Sequence, residues 1–238
     1  MTFDNLKTLH DQWVICAPLS TVVTETMYQW LSDEEVQRAN RFRRPEDSQR
    51  FILAHVMKRF YLSQLLDLRP EALQFVEGPK GKPFCTDNGA PFFNISHSGD
   101  WVLLAVSSTK EIGVDVECSK RGVSEGTMNH VLTSSQLEKV NASNNPQATF
   151  ITYWTQKEAV SKALGLGLSI DFTTIDCSGD IGSSRVIHSG NELKVSAHIV
   201  DDSHIASVSV LAHSQVEPIP LYVLADWRGL HPLLVSLS

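Results

Sequence analysis

No apolar run in this chain approaches the roughly 18 residues that a membrane-spanning helix needs. The opening from Met1 to Gln12 is polar and lacks the apolar core of a secretory signal, so a cytoplasmic protein is expected. Cysteine is scarce. Cys16, Cys85, Cys118 and Cys177 are scattered with no Cys-x-x-Cys pair, which argues for reduced core thiols rather than a disulfide framework or a thiolate metal site. His10, His55, His130, His188, His198, His204, His213 and His231 show no ligand spacing for zinc. A phosphate-binding Gly-x-x-x-x-Gly-Lys-Ser/Thr loop is missing. Gly165-Leu166-Gly167 follows a helical pattern and stops a helix, so it is no dinucleotide fingerprint. Ser96 and Ser98 lack the Gly-x-Ser-x-Gly elbow of a serine hydrolase. Positive charge is also short: 20 Lys and Arg against 27 Asp and Glu leave a net charge of -7, without the basic excess of a nucleic-acid binder.

What remains is an ordinary globular composition, 238 residues with 42% hydrophobic and 20% charged side chains, enough for two modest lobes. Ser32-Asp33-Glu34-Glu35 has the form of a capping box opening a short helix through about Arg41. Pro45 begins a longer one, in which Phe51, Leu53, Ala54, Val56, Met57, Phe60, Tyr61, Leu65 and Leu66 recur at helical spacing. Trp101 to Val106 and Ile112 to Val116 read as strands joined by a hairpin turn over Ser107 to Glu111. The second half repeats this order. Ser134 caps a short helix through about Val140, and Asn145-Pro146 starts a long one that Gly165 to Gly167 ends. Strands follow at 184–187, 193–200, 205–211 and 221–224. The expected fold is α+β: two similar lobes with pseudo-twofold symmetry, residues 1–110 and 111–238, and an active site in the cleft between them.

Two segments carry chemistry. Ile112-Gly113-Val114-Asp115-Val116-Glu117 alternates with a period of two, so as a strand it turns Asp115 and Glu117 to one face. In Trp154-Thr155-Gln156-Lys157-Glu158-Ala159-Val160-Ser161-Lys162, a helix puts Trp154, Glu158 and Lys162 on one stripe. Together they gather three carboxylates suited to Mg²⁺ and a lysine left over for a phosphate. Each segment alone has a plainer reading, as the solvated face of an edge strand and as a surface ion pair worth ~0.3–0.5 kcal/mol. Trp154 and Ala163 on the same helix face argue against a wholly solvated stripe. Phe93-Asn94-Ile95-Ser96-His97-Ser98-Gly99 resembles a phosphate-facing turn, or a polar hairpin loop. Gly78-Pro79-Lys80-Gly81-Lys82-Pro83-Phe84 offers lysines and a ring to a nucleotide, or is an exposed connector. Arg38, Arg41, Arg43, Arg44 and Arg50 form the one basic cluster, suited to a phosphate monoester or to pairing with Glu46 and Asp47. These residues support a Mg²⁺-dependent enzyme acting on a phosphorylated, nucleotide-bearing substrate, and leave hydrolysis and transfer both open.

The same segments, in this order, resemble the 4′-phosphopantetheinyl transferases. Gly113-Val114-Asp115-Val116-Glu117 is similar to the family's first motif, and Trp154 to Lys162 to its second. Gly81-Lys82-Pro83, Phe93 to Ser98, and Arg43-Arg44-Pro45-Glu46-Asp47 with Arg50 are similar to its upstream elements. The length is that of the monomeric, two-lobed type that activates peptide and polyketide synthases in secondary metabolite biosynthesis. The resemblance implies transfer of the phosphopantetheine arm of coenzyme A to a serine of an apo acyl or peptidyl carrier protein, with adenosine 3′,5′-bisphosphate leaving. On these positions Asp115, Glu117 and Glu158 would hold Mg²⁺. Glu158 would be the base for the carrier serine, and Lys162 would bind the pyrophosphate and stabilise the departing phosphate. Ser96 and His97 would contact phosphates of coenzyme A, Lys82, Pro83 and Phe84 would border the adenine, and Arg50 would take the 3′-phosphate. The N-terminal lobe would thus bind coenzyme A and the C-terminal lobe carry the metal ligands and catalytic helix. A coenzyme A pyrophosphate hydrolase and a non-catalytic coenzyme A-binding module are the competing readings. The chain departs from the family's pattern at two positions. Gln136 stands where the family often has glutamate, so either Glu138 substitutes through a shifted register or water fills the gap. Glu35 stands near where a basic residue is often found.

Overall fold

The computed structural model describes residues 10–78, 80–120, 122–167, 170–211, 219–228 and 231–237, with backbone alone for 226–228 and 231–237. The N-terminal segment 1–9, Pro79 of the lysine turn and His213 lie outside the described residues, as does the side chain of His231. The architecture is α+β in two compact units. One runs from Met1 to Thr109 and takes back the chain from Pro220 to Ser238; the other is Lys110–Ile219.

In the first unit, strands β1 (Gln12–Pro18), β4 (Phe92–Ser98), β5 (Trp101–Ser107), β10 (Leu221–Arg228) and β11 (His231–Leu237) form one sheet in the order β11-β10-β1-β5-β4. Only the β1–β10 pairing is parallel. The last strands therefore do not stay with the second lobe, as the expected 111–238 boundary had it. The apolar run Leu221-Tyr222-Val223-Leu224 completes β1, whose other edge is occupied by β5. Helices α1 (Glu25–Tyr28), α2 (Asp33–Ala39) and α3 (Pro45–Leu66) follow β1. Trp13, Ile15, Val102, Leu104 and Val106 from the sheet pack with Leu53, Val56, Met57 and Phe60 of α3. Strands β2 (Phe75–Glu77) and β3 (Pro83–Cys85) make a separate small hairpin.

The second unit carries β6 (Ile112–Cys118), α4 (Glu125–Val131), α5 (Ser134–Ala142), α6 (Pro146–Ala163), β7 (Gly182–His188), β8 (Asn191–Ile199) and β9 (His204–Leu211). Its sheet is antiparallel throughout, in the order β6-β9-β8-β7. The hairpin expected between Trp101 and Val116 does not form. β5 pairs with β1 and β4, β6 pairs with β9, and the chain passes between units at Thr109–Lys110. Two adjacent strand-like runs with a polar link look alike whether they pair or part, because pairing is decided by partners distant in sequence. Helix α6 starts as its sequence suggests, with the Asn145 side chain accepting from the Ala148 amide and Pro146 in the first turn. α5 is capped by Thr133, one residue earlier than expected. Cys16 and Cys177 are core thiols, whereas Cys85 and Cys118 are partly exposed.

Glu35 ties α2 to α3. Its carboxylate completes the α2 capping box by accepting from the Ser32 amide. It also accepts from Lys58 Nζ at 2.8 Å and Arg59 Nε at 2.6 Å, and bonds His55 Nδ1 at 2.7 Å. Burial alone would raise this carboxyl, but the His55 hydrogen bond and the Lys58 charge outweigh it and hold Glu35 well below the usual carboxylate range. Removing one member of such a buried group leaves its partners charged in a poor solvent. Glu35→Gln should therefore cost about 3 kcal/mol at pH 7. A carboxyl lowered on folding contributes fully above its unfolded value near 4.3 and loses that contribution as pH falls through the lower folded value. Urea denaturation from pH 7 to pH 3 should show the gap between wild type and variant closing on the acid side. A gap that stays constant would mean that Glu35 does not act through its charge.

Candidate active site

The second unit places its chemistry on β6 and α6. Gly113, Asp115 and Glu117 alternate onto the strand face that meets the helix. A Cβ at Gly113 would fall on the Ala159 carbonyl and the Ala163 amide, and within 2.8 Å of the Lys162 carbonyl carbon. Only a residue without a side chain allows this approach. Thr155 and Ser207 share a hydroxyl hydrogen bond of 2.8 Å that fixes α6 to β9. β6 lies at the edge of its sheet, yet its acidic face is solvated only in part, at the half-buried Glu117. Asp115 is 4% exposed, and Val114 and Val116 on the opposite face are fully buried.

Of the four residues singled out on these elements, Asp115 and Lys162 are in direct contact, and Glu158 lies near enough to feel the charges of Asp115, Lys162 and Glu117. Lys162 Nζ donates to Asp115 Oδ1 at 2.6 Å and to the Val114 carbonyl at 3.2 Å. Glu158, one turn earlier, is 6% exposed, and its Oε1 is buried with no hydrogen-bond partner. Burial first, then the charge of Asp115 against the opposing pull of Lys162, with Glu117 adding to the rise, pushes the Glu158 pKa up to about 7. A carboxyl poised there can take a proton near neutral pH. Among the described residues no three His, Cys, Asp or Glu side chains are already gathered to hold a metal. The donor chemistry nonetheless suits a hard divalent cation: carboxylate oxygens, one of them buried without a partner. Glu117 and Cys118 border a cavity of about 350 Å³ walled by Val123, Phe150, Ile151 and Trp154.

Two residues of the second motif that the sequence reading passed over, together with Gln136, prove to be structural supports. Lys157 is fully buried, its Nζ donating to the carbonyls of Phe172 and Ile175 at 2.8 and 2.7 Å, and burial pushes its pKa down to about 8. Gln156 donates to the Asp180 carbonyl and accepts from the Gly179 amide. Gln136 accepts from the Thr133 amide in the α5 capping box, while its Nε2 reaches the Cys177 carbonyl and Asp176. The Gln136 side chain is thus held by backbone on both sides. A lysine and a glutamine inside α6, a helix otherwise buried almost all round, are the signal that could have revealed their two roles.

The first unit holds the other sequence candidates. Arg50 donates to the Gly99 carbonyl at 2.8 Å and to Asp47 at 2.6 Å, which sets it beside the turn after Ser98. The Phe93–Ser98 segment is strand β4, so neighbouring Ser96 and His97 leave opposite faces of it, Ser96 buried and His97 exposed. The strand does not present the two together. Pro83 lines a second cavity of about 350 Å³ with Arg38, Phe51, His55 and Lys58, while Phe84 is 50% exposed and Lys82 sits in the turn before β3. Glu35, where a basic residue was looked for, is the buried hub described above.

The α+β fold thus sets a lysine on the Asp115 carboxylate of one strand, with the buried Glu158 one turn away on the same helix. Comparison with known proteins is more specific. Residues 111–209 match the 4′-phosphopantetheinyl transferase superfamily, and residues 18–109 match the N-terminal region of 4′-phosphopantetheinyl transferase. Protein slr0495 of Synechocystis sp. is 35% identical over 144 residues, 58% of this chain and 58% of that protein. The 4′-phosphopantetheinyl transferase Sfp of Bacillus subtilis is 32% identical over 155 residues, 64% of this chain and 68% of Sfp. HetI of Nostoc sp., named as the same kind of transferase, is 29% identical over 184 residues, 68% of this chain and 78% of HetI. The chain belongs to the 4′-phosphopantetheinyl transferase superfamily.

Two outcomes follow from the packing. Gly113→Ala should destabilise the protein by about 2–3 kcal/mol, since backbone must move to admit the methyl group; an unchanged denaturation midpoint would show that strand and helix are not in close contact. Glu158→Gln should raise the melting temperature of the metal-free protein, because it removes a buried charge with an unsatisfied oxygen. A lower melting temperature would mean that Glu158 supports the fold.

Proposed function

We propose that the chain transfers the 4′-phosphopantetheine arm of coenzyme A to a serine of an apo acyl or peptidyl carrier protein, with Mg²⁺ required and adenosine 3′,5′-bisphosphate released. The observation that carries this reading is the buried Glu158 beside Asp115, Glu117 and Lys162, in a chain of this family.

Asp115, Glu117 and Glu158 would hold the Mg²⁺ ion, which supplies charge neutralisation at the pyrophosphate when bound. Glu158 removes the proton from the carrier serine, directly or through water. The serine oxygen forms a bond to the phosphorus that carries the pantetheine arm, and the bond from that phosphorus to the bridging oxygen breaks. The electron pair leaves with the adenosine 3′,5′-bisphosphate, whose new charge Lys162 offsets. In the first unit, Arg50 takes the 3′-phosphate, the exposed His97 contacts a phosphate, and Lys82, Pro83 and Phe84 border the adenine. Neither nucleic acid nor a membrane is a partner in this scheme, and the enzyme works as a cytoplasmic monomer. No helix among the described residues is long and apolar enough to cross a membrane.

Intact-protein mass spectrometry of an apo carrier domain incubated with the protein, coenzyme A and Mg²⁺ tests the reaction. The carrier should gain one phosphopantetheine, and lose that gain with EDTA, with the carrier serine changed to alanine, or with Asp115→Ala in a protein that remains folded. Release of adenosine bisphosphate without any carrier gain would replace transfer by hydrolysis. Bound coenzyme A with neither product would leave a binding module.

A further inference from the structure

The contact between Lys162 and Asp115 has the form of a cation already seated. Nζ lies 2.6 Å from Asp115 Oδ1 and 3.2 Å from the Val114 carbonyl, so the ammonium takes two oxygens on the strand face that also bears Glu117. Asp115 is nearly buried, whereas the Lys162 side chain keeps 28% of its surface exposed in the last turn of α6. A flexible four-carbon stem on a helix end can leave such a contact without unfolding anything. Glu158, nine-tenths buried on the neighbouring turn, has an oxygen with no partner. The carboxylates are thus present, but one of them is bonded to a lysine.

We infer that Lys162 competes with the divalent metal for Asp115, and that the donor's pyrophosphate ends the competition by drawing the ammonium to itself, so that metal and coenzyme A bind cooperatively. The inference rests on the metal site proposed above. A metal on Asp115, through either carboxylate oxygen, would sit close to the ammonium on Oδ1 and repel it, and the lysine has an alternative anion to go to. Cooperation between two ligands is reciprocal: whatever factor coenzyme A adds to metal affinity, the metal must add to coenzyme A affinity. Lys162 would then have two partners in turn, Asp115 before the donor arrives and phosphate afterwards.

Mn²⁺ titration of the full chain, followed by the electron paramagnetic resonance of free Mn²⁺ and corrected for Mn²⁺ held by coenzyme A alone, provides a readout independent of turnover. Without coenzyme A, Lys162→Met should bind Mn²⁺ about tenfold tighter than wild type. Coenzyme A should tighten Mn²⁺ binding about tenfold in wild type and by a much smaller factor in the variant. Mn²⁺ binding to Lys162→Met that is no tighter than to wild type, or wild-type affinity indifferent to coenzyme A, would overturn the inference. Asp115→Asn separates the two layers. If it binds Mn²⁺ as wild type does, the metal site itself is misplaced; if it loses Mn²⁺ while Lys162→Met is unchanged, competition alone is removed. Should Lys162→Met fail to fold, Lys162→Gln takes its place, and the coenzyme A dependence of the wild type remains decisive.

Discussion

Strand β6 runs so close to helix α6 at Gly113 that no side chain fits between them, and the placement of every reactive group in the second unit follows from that approach. With the two backbones this near, a residue two positions along the strand and one at the end of the helix meet at hydrogen-bond range, which is how Asp115 and Lys162 come to be 2.6 Å apart. The same closeness shuts solvent away from Asp115 and Glu158. Low solvation is what makes a carboxylate there responsive to its neighbours, since the charge of Asp115 would be largely screened at the surface. Glycine at this point is therefore an electrostatic device as well as a packing one.

The helix carries two lysines with opposite employment. Lys157 faces away from the acids, finds only carbonyl partners, and anchors the segment around Phe172 to Ile175. Lys162 finds a carboxylate and keeps part of its surface in water. A fully buried ammonium held by two carbonyls has no easy exit, whereas a partly exposed one on an anion can exchange that anion for another. The difference separates a locked lysine from an exchangeable one on one helix, though both belong to the same sequence motif. Glu158 represents the complementary case: an acid kept where its charge is least welcome, a local loss of stability that a bound cation would reverse.

The first unit solves its own charge problem by concentration. Glu35 collects Lys58, Arg59 and His55 into one group and caps α2 with the same carboxylate. An acid in that position balances the cations of α3 from within and leaves the cavity beside Pro83 with acids as well as bases in its wall. The exposed Arg41, Arg43 and Arg44 do not enter this group. Cationic character available to a phosphate thus lies outside the hub, on the α2–α3 connection and at Arg50.

Periodicity and end signals made the helices legible, because the Ser32 box and Asn145-Pro146 act within a few residues of themselves. The placement of the candidate set was legible too, since Asp115 and Glu117 on one strand and Glu158 and Lys162 on one helix follow periods that a sequence states directly. Pairing was not. The parallel return of β10 to β1 and the separation of β5 from β6 depend on contacts between residues far apart in the chain, which local pattern cannot express. Supporting polar residues were hidden for a related reason: Lys157, Gln136 and Glu35 resemble surface residues until their distant partners are known. Ser96 and His97 show the limit from the other side. Adjacent in sequence, they read as one motif, yet strand alternation sends them to opposite faces. Nearness along the chain puts residues on one face only when the local period turns them the same way, as it does for Asp115 and Glu117 and for Glu158 and Lys162 but not for Ser96 and His97.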